Sequence, residues 1–394
     1  MSEYVGQVCA ACLEQLKTVS LSIFLLSIAS TLIGLVVLLY VFLFAVAFKP
    51  RLPFPEEMRY RTLAEDGQIT RPRQLPCWQD SWDRIRNQTP NKRNLPIEKP
   101  EVFMTVVVPA YNEEERLVGM LEETVDYLEE AYGTSATNDQ ASQGKKGKNT
   151  RQRKANGQSN GIDHDTTNNS SKGWEVLIVS DGSTDKTEQV AFNFARNYRV
   201  PSDSVRVITL TENRGKGGAV THGMRHARGQ YVVFADADGA SKFADLGKLV
   251  EACEQAQDTN GRAVAVGSRA HMVGSEAVVK RSKLRNFLMH SFHLILWLLT
   301  PHKTAKIKDT QCGFKLFSRA SLPDIIPYMH SEGWIFDVEM LMLAEFASIP
   351  VAEVPVGWRE VKGSKLNVVW DSIGMAWGLF VLRASWGLGV YRRT

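Results

Sequence analysis

Two carboxylates one residue apart, Asp236 and Asp238, close the apolar run 231–238, YVVFADAD. In an extended segment successive side chains point to opposite faces, so both would project the same way and could share one divalent cation. Such a pair can hold a metal-bound diphosphate, although a lone D-x-D is more often just a capped strand end. Two further apolar runs end in polar turns upstream. Residues 106–117, VVVPAYNEEERL, lead into an acidic first helical turn, and residues 176–185, VLIVSDGSTD, deliver an Asp and hydroxyl-rich turn. Ligands of open α/β sheets bind at the carboxyl ends of strands, so three polar strand ends imply one shared crevice.

The elements that must position these groups are legible as strands near 103 and at 205–210, 231–235 and 263–267, with helical segments between them. Residues 211–220, TENRGKGGAV, place Arg214 and Lys216 among glycines just before a helix, where backbone N–H groups and cations can receive negative charge. They lack the G-x-x-x-x-G-K-[ST] spacing of an ATPase phosphate loop. Residues 133–172 are rich in Gly, Ser, Asn, Thr, Gln and Lys, a composition that cannot build a core and predicts a disordered surface insertion. Residues 49–100 read as a linker that spaces and packs.

Within the 394-residue chain, 44% is hydrophobic and 23% charged, as in a globular protein with something apolar attached. That attachment is 18–48, 31 residues without a charge between Lys17 and Lys49. It exceeds the ~20 residues needed to cross a bilayer and the ~7 to 15 of a signal-peptide core. Only Lys17 precedes it, whereas Lys49, Arg51, Arg59 and Arg61 follow, so the positive-inside rule puts residues 1–17 in the lumen and the body in the cytosol. Five scattered cysteines, including Cys9 and Cys12, fit a reducing compartment better than a disulfide framework. A net charge of +4 with interspersed acids gives nucleic-acid binding no support. Residues 284–300 and 368–394 are apolar, rich in aromatics and bordered by basic residues, and read as core helices or as helices lying in a membrane interface.

Segments 106–117, 176–185 and 231–238, in this order, resemble the GT-A glycosyltransferases of family 2, which use nucleotide-diphosphate sugars. The resemblance implies an α/β fold: a Rossmann-like mixed or parallel sheet flanked by helices over residues 101–367, after a transmembrane helix and before C-terminal membrane-interface helices. It places Pro109, Ala110, Tyr111 and Glu113 against the nucleoside, Asp181 near the base and Lys216 on the donor. Asp236 and Asp238 would hold Mg²⁺ or Mn²⁺. Ser180 stands where the family's first turn Asp would be, and Ala240 stands where some mannose-transferring relatives place a metal-binding Gln.

Four later segments, 267–269 (GSR), 309–317 (DTQCGFKLF), 332–340 (EGWIFDVEM) and 358–366 (WREVKGSKL), are similar to the dolichyl-phosphate β-glucosyltransferase branch. By that resemblance Arg269, Gln311, Arg359, Ser364 and Lys365 would meet the acceptor phosphate, with Asp309 and Asp337 near the reacting centre. The implied reaction is inverting transfer of glucose from UDP-glucose to dolichyl phosphate at the cytosolic face of the endoplasmic reticulum, for lipid-linked oligosaccharide assembly. An oligomer is compatible with the sequence. A mannosyltransferase using GDP-mannose is the nearest alternative, and a catalytically silent nucleotide-sugar-binding membrane protein is another.

Overall fold

A computed structural model describes residues 20–89, 95, 97–133, 173–272, 299–361 and 368–393. The chain forms two compact units, Met1–Phe48 with Phe380–Thr394, and Lys49–Leu379. In the first, helix α1 (Leu21–Val46) has 26 residues and is long and apolar enough to cross a membrane. At 1.5 Å per residue it reaches about 39 Å, beyond the ~30 Å hydrocarbon core of a bilayer. Its side chains are mostly exposed, Leu26 at 72% for example. The Tyr391 hydroxyl donates to the Phe48 carbonyl at 3.1 Å.

The second unit is built on a sheet with nine strands among the described residues. They are β1 (Arg59–Arg61), β2 (Arg73–Gln74), β3 (Val102–Ala110), β4 (Trp174–Asp181), β5 (Val205–Leu210), β6 (Gly229–Ala235), β7 (Val264–Ser268), β8 (Phe314–Ser318) and β9 (Val351–Pro355). Their order is β2-β1-β5-β4-β3-β6-β8-β7-β9. β5, β4, β3 and β6 are parallel, and β8 runs antiparallel between β6 and β7. All eight residues of β4 are buried, the pattern of a strand covered on both faces. The covering helices include α3 (Leu117–Tyr132), α4 (Thr187–Asn197), α5 (Gly215–Arg225) and α6 (Leu246–Ala256).

Parallel register aligns the strand exits: Ala110 pairs with Ser180, and Asp181 with Leu210. Strand order reverses between β3 and β6, the switch point at which ligands of such sheets bind. The turns after Ala110 and Ala235 flank this opening.

Residues 49–100 contribute β1, β2 and α2 (Trp78–Gln88) to the unit, which is more than spacing. Trp78 is buried, and its indole N–H donates to the Met224 carbonyl at 2.8 Å. Glu57 is wholly buried and accepts from both guanidinium nitrogens of Arg51, from the Phe54 N–H, and from the N–H and hydroxyl of Thr211. Burial opposes its ionisation, but these donors bring its pKa down to about 2. The loop after β5 is thereby fastened to the segment just after residue 48.

Gly133 and Gly173 bound the expected insertion, and the Gly173 N–H reaches the Tyr132 carbonyl at 3.4 Å, so its two ends meet. Residues 134–172, and 284–298 of the expected interface helix, lie outside the described residues. Helix α8 (Val368–Gly387) follows α7 (Phe336–Phe346) and β9, and exposes Trp370, Ile373 and Trp377 on one face.

Glu57→Gln should lower the unfolding free energy by roughly 3 kcal/mol, as for one broken partner of a buried pair. Because the folded pKa is depressed, the wild-type contribution is present above pH 4.5 and lost as pH falls towards about 2. Denaturant titrations of both proteins at pH 7 and pH 3 check this: the difference should shrink at the lower pH.

Candidate active site

Asp236 and Asp238 lie just beyond β6, but not in extended backbone. The strand ends at Ala235, and the Gly239 N–H closes a turn onto the Asp236 carbonyl at 3.3 Å. The carboxylates therefore come together through a turn, and the strand alternation expected from the sequence does not extend that far. Burial, and then the neighbouring Asp236 charge, push the Asp238 carboxyl above its usual range. Two crowded hard oxygen donors suit Mg²⁺ or Mn²⁺, which keep other ligands from diphosphate and water. Among the described residues no group of three or more His, Cys, Asp or Glu side chains is placed to hold a metal ion together.

Asp236 is held from below by the antiparallel neighbour β8. Its N–H donates to the Gly313 carbonyl at 3.2 Å, and a Cβ on Gly313 would lie 2.0 Å from Asp236 Oδ2. Only a glycine leaves room for this carboxylate. Lys216 Nζ lies 2.6 Å from Asp236 Oδ1. Lys315, wholly buried on β8, donates to the Cys312 carbonyl at 2.7 Å and pairs with Asp337 at the start of α7. Burial pushes the Asp337 carboxyl up against the opposing pull of Lys315 and Lys216. Glu339, two residues on, accepts from the backbone N–H groups of His330 and Ser331 and so organises the preceding loop.

At the β3 exit, Asn112 has φ 53°, a left-handed conformation that Asn tolerates, and its Oδ1 accepts from the Thr184 N–H at 2.7 Å. This bond ties the β3 exit to the β4 exit. Tyr111 is 40% exposed beside them, while Ala110 is buried and Pro109 partly so. Glu113 makes a two-pronged pair with Arg116, both bonds at 2.7 Å, and Arg116 Nη1 lies 3.8 Å from Asp238. Asp181 accepts from the Arg214 N–H at 2.7 Å, and burial raises its pKa to about 6. The α5 glycines serve close packing: a Cβ on Gly217 would stand 2.5 Å from that of Phe336.

Among the residues expected to meet the acceptor, Arg269 grips Asp309 through Nε and Nη2 at 2.7 and 2.8 Å. Burial works to raise the Asp309 carboxyl, but this fork overrides it and holds the carboxyl below the usual range. Both oxygens of Asp309 are spent on positioning Arg269. Gln311 Nε2 approaches Met375 Sδ at 3.0 Å. Arg359 extends over the D-x-D turn, with Nε donating to the Gly239 carbonyl at 3.1 Å, and its side chain is 65% exposed. Ser364 and Lys365 lie outside the described residues.

Sequence reasoning missed Arg116, Gly313 and Lys315. The motif NEEERL carried a signal for the first, and a Gly two residues before a lysine in an otherwise apolar strand carried one for the others.

The model of "Glycosyl transferase family 2" matches residues 164–326. A dolichyl-phosphate β-glucosyltransferase of Saccharomyces cerevisiae is 39% identical over 92% of this chain and 93% of its own. The Homo sapiens protein of that name is 40% identical over 78% and 83%. Among solved structures, glucosyl-3-phosphoglycerate synthase from Mycobacterium tuberculosis with Mn²⁺ and UDP-glucose is 16% identical, with 72% and 79% coverage and a TM-score of 0.46.

Gly313→Ala should displace the Asp236 carboxylate and cut turnover at least ~100-fold, with a stability loss of about 1 to 3 kcal/mol, the range for an overpacked site. Steady-state kinetics beside a melting curve check it. Near-normal turnover would mean that Asp236 is not held where the chemistry occurs.

Proposed function

The chain belongs to the dolichyl-phosphate β-glucosyltransferases of glycosyl transferase family 2, and from this premise we propose that it transfers glucose from UDP-glucose to dolichyl phosphate with inversion at C1. The observation that carries the reading is the likeness along nearly the whole chain to relatives of that name, over a sheet whose D-x-D turn stands at the switch point. Mg²⁺ or Mn²⁺ bound by Asp236 and Asp238 would neutralise charge on the departing UDP.

The remaining chemistry belongs to the chain's own groups. Tyr111, exposed at the β3 exit, offers a face to the base, and Asp181 fixes the loop that presents Lys216 to the diphosphate. Glu113, joined to Arg116, couples the nucleoside turn to Asp238. Arg359 is the exposed cation best placed to receive the acceptor phosphate, with Arg269 aimed by Asp309. A phosphate monoester with second pKa near ~6 is already largely anionic at pH 7, so no strong base is needed. Asp337, joined to Lys315, acts by supporting the charges around Lys216. The main task is to bring two anionic reactants together in one orientation.

The same reading puts the protein in the endoplasmic reticulum membrane, anchored by α1, with the body on the cytosolic side where Lys49, Arg51, Arg59 and Arg61 follow the span. Trp370, Ile373 and Trp377 on α8 suit a headgroup interface near a polyisoprenoid.

A donor panel with dolichyl phosphate in detergent should release UDP from UDP-glucose and little GDP from GDP-mannose; the opposite preference rejects the sugar assignment. Asp238→Asn should lower UDP-glucose turnover roughly 10³-fold with an unchanged melting temperature, since it removes charge and keeps shape. Asn87 on α2 begins an N-x-T sequon, and a glycan there in native membranes would overturn the cytosolic placement.

A further inference from the structure

The ammonium of Lys216 stands on the oxygen that a divalent cation would need. Its Nζ is 2.6 Å from Asp236 Oδ1, and its side chain is only 18% exposed. Neither partner has much freedom. Lys216 is in the first turn of α5, which is seated by the Gly218 N–H bond to the Glu332 carbonyl at 3.1 Å and by the contact of Gly217 with Phe336. The Asp236 carboxylate lies against Gly313, where a Cβ would stand 2.0 Å from Oδ2. Asp337 and Asp238 add their fields at the same ammonium.

The charges of this cluster nearly cancel. Glu113, Asp236, Asp238 and Asp337 face Arg116, Lys216 and Lys315, which leaves one negative charge. A divalent cation arriving alone would leave the cluster positive and would meet Lys216 at a shared oxygen, where like charges repel. A nucleoside diphosphate brings anionic oxygens that can accept both the cation and the ammonium.

We propose that Lys216 gates the metal site, competing with the divalent cation for Asp236 until a nucleoside diphosphate takes up the ammonium, so that metal and donor bind as one unit. Resting on the metal assignment above, this adds a negative role for Lys216 to its contact with the donor. Without the lysine, the cluster would carry two negative charges, enough to match a divalent cation by itself.

Calorimetric titration of the full-length protein in detergent with Mn²⁺ alone, UDP alone, and Mn²⁺ at saturating UDP tests the gate without any turnover. In wild type, UDP should tighten Mn²⁺ binding at least ~10-fold by linkage. Lys216→Met should bind Mn²⁺ alone at least ~10-fold more tightly than wild type does, and the enhancement by UDP should shrink correspondingly. Lys216→Arg should keep the wild-type pattern, and Lys216→Gln serves as a second neutral variant should the Met protein not fold. If UDP promotes Mn²⁺ binding in wild type but neither neutral variant gains affinity for Mn²⁺ alone, the gate is not Lys216. Equal Mn²⁺ affinity in wild type with and without UDP also overturns it. Failure of wild type to bind Mn²⁺ even with UDP would instead remove the metal assignment, a separate result.

Discussion

The approach of β8 to β6 is the constraint on which the rest of this site depends. In that antiparallel pair Ala235 lies opposite Phe314 and Phe234 opposite Lys315, so Gly313 arrives directly beneath Asp236. The Asp236 carboxylate thus lies against bare backbone, in space that a side chain at position 313 would take. The same strand carries Lys315 inward to Asp337, so the floor of the crevice is an alternating series of charges fixed by a sheet register. Burying such groups is costly unless charges pair, and here Lys315 meets Asp337 and Lys216 meets Asp236.

A second set of bonds joins the strand exits to one another. Asn112 binds the turn after β4, Asp181 binds the loop after β5, and Glu57 binds that same loop to the segment following residue 48. The groups assigned to the donor are therefore held by side chains from several distant stretches. The two cations proposed for the acceptor are arranged differently: Arg269 is clamped by Asp309, whereas Arg359 is mostly exposed and meets the Gly239 carbonyl and Glu123.

Much of this was readable in the chain because it depends on local pattern. The span before Lys49, the strands 205–210 and 231–235, and the polar exits after Ala110 and Asp181 all follow from runs of apolar residues that stop at turn-forming ones. The alternation argument for Asp236 and Asp238 assumed a strand that in fact stops at Ala235, because a strand's period says nothing about the turn that follows it. Asp309 and Asp337 were legible as acidic residues in distinctive motifs, but not as partners of Arg269 and Lys315.

The sequence alone determined the membrane-type helix, the parallel α/β core, the family, and the residue types gathered at the strand ends, since each is encoded in a contiguous stretch or motif. Only the tertiary structure decided which charges neutralise one another, that a side chain at position 313 would meet the Asp236 carboxylate, and that residues 49–100 extend the sheet. Those outcomes depend on distant segments, such as Glu57 and Thr211, 154 residues apart, being brought within hydrogen-bond reach. Local pattern records which face of a strand is buried; pairing across the sheet is set by packing among all the strands together, and no single stretch contains it.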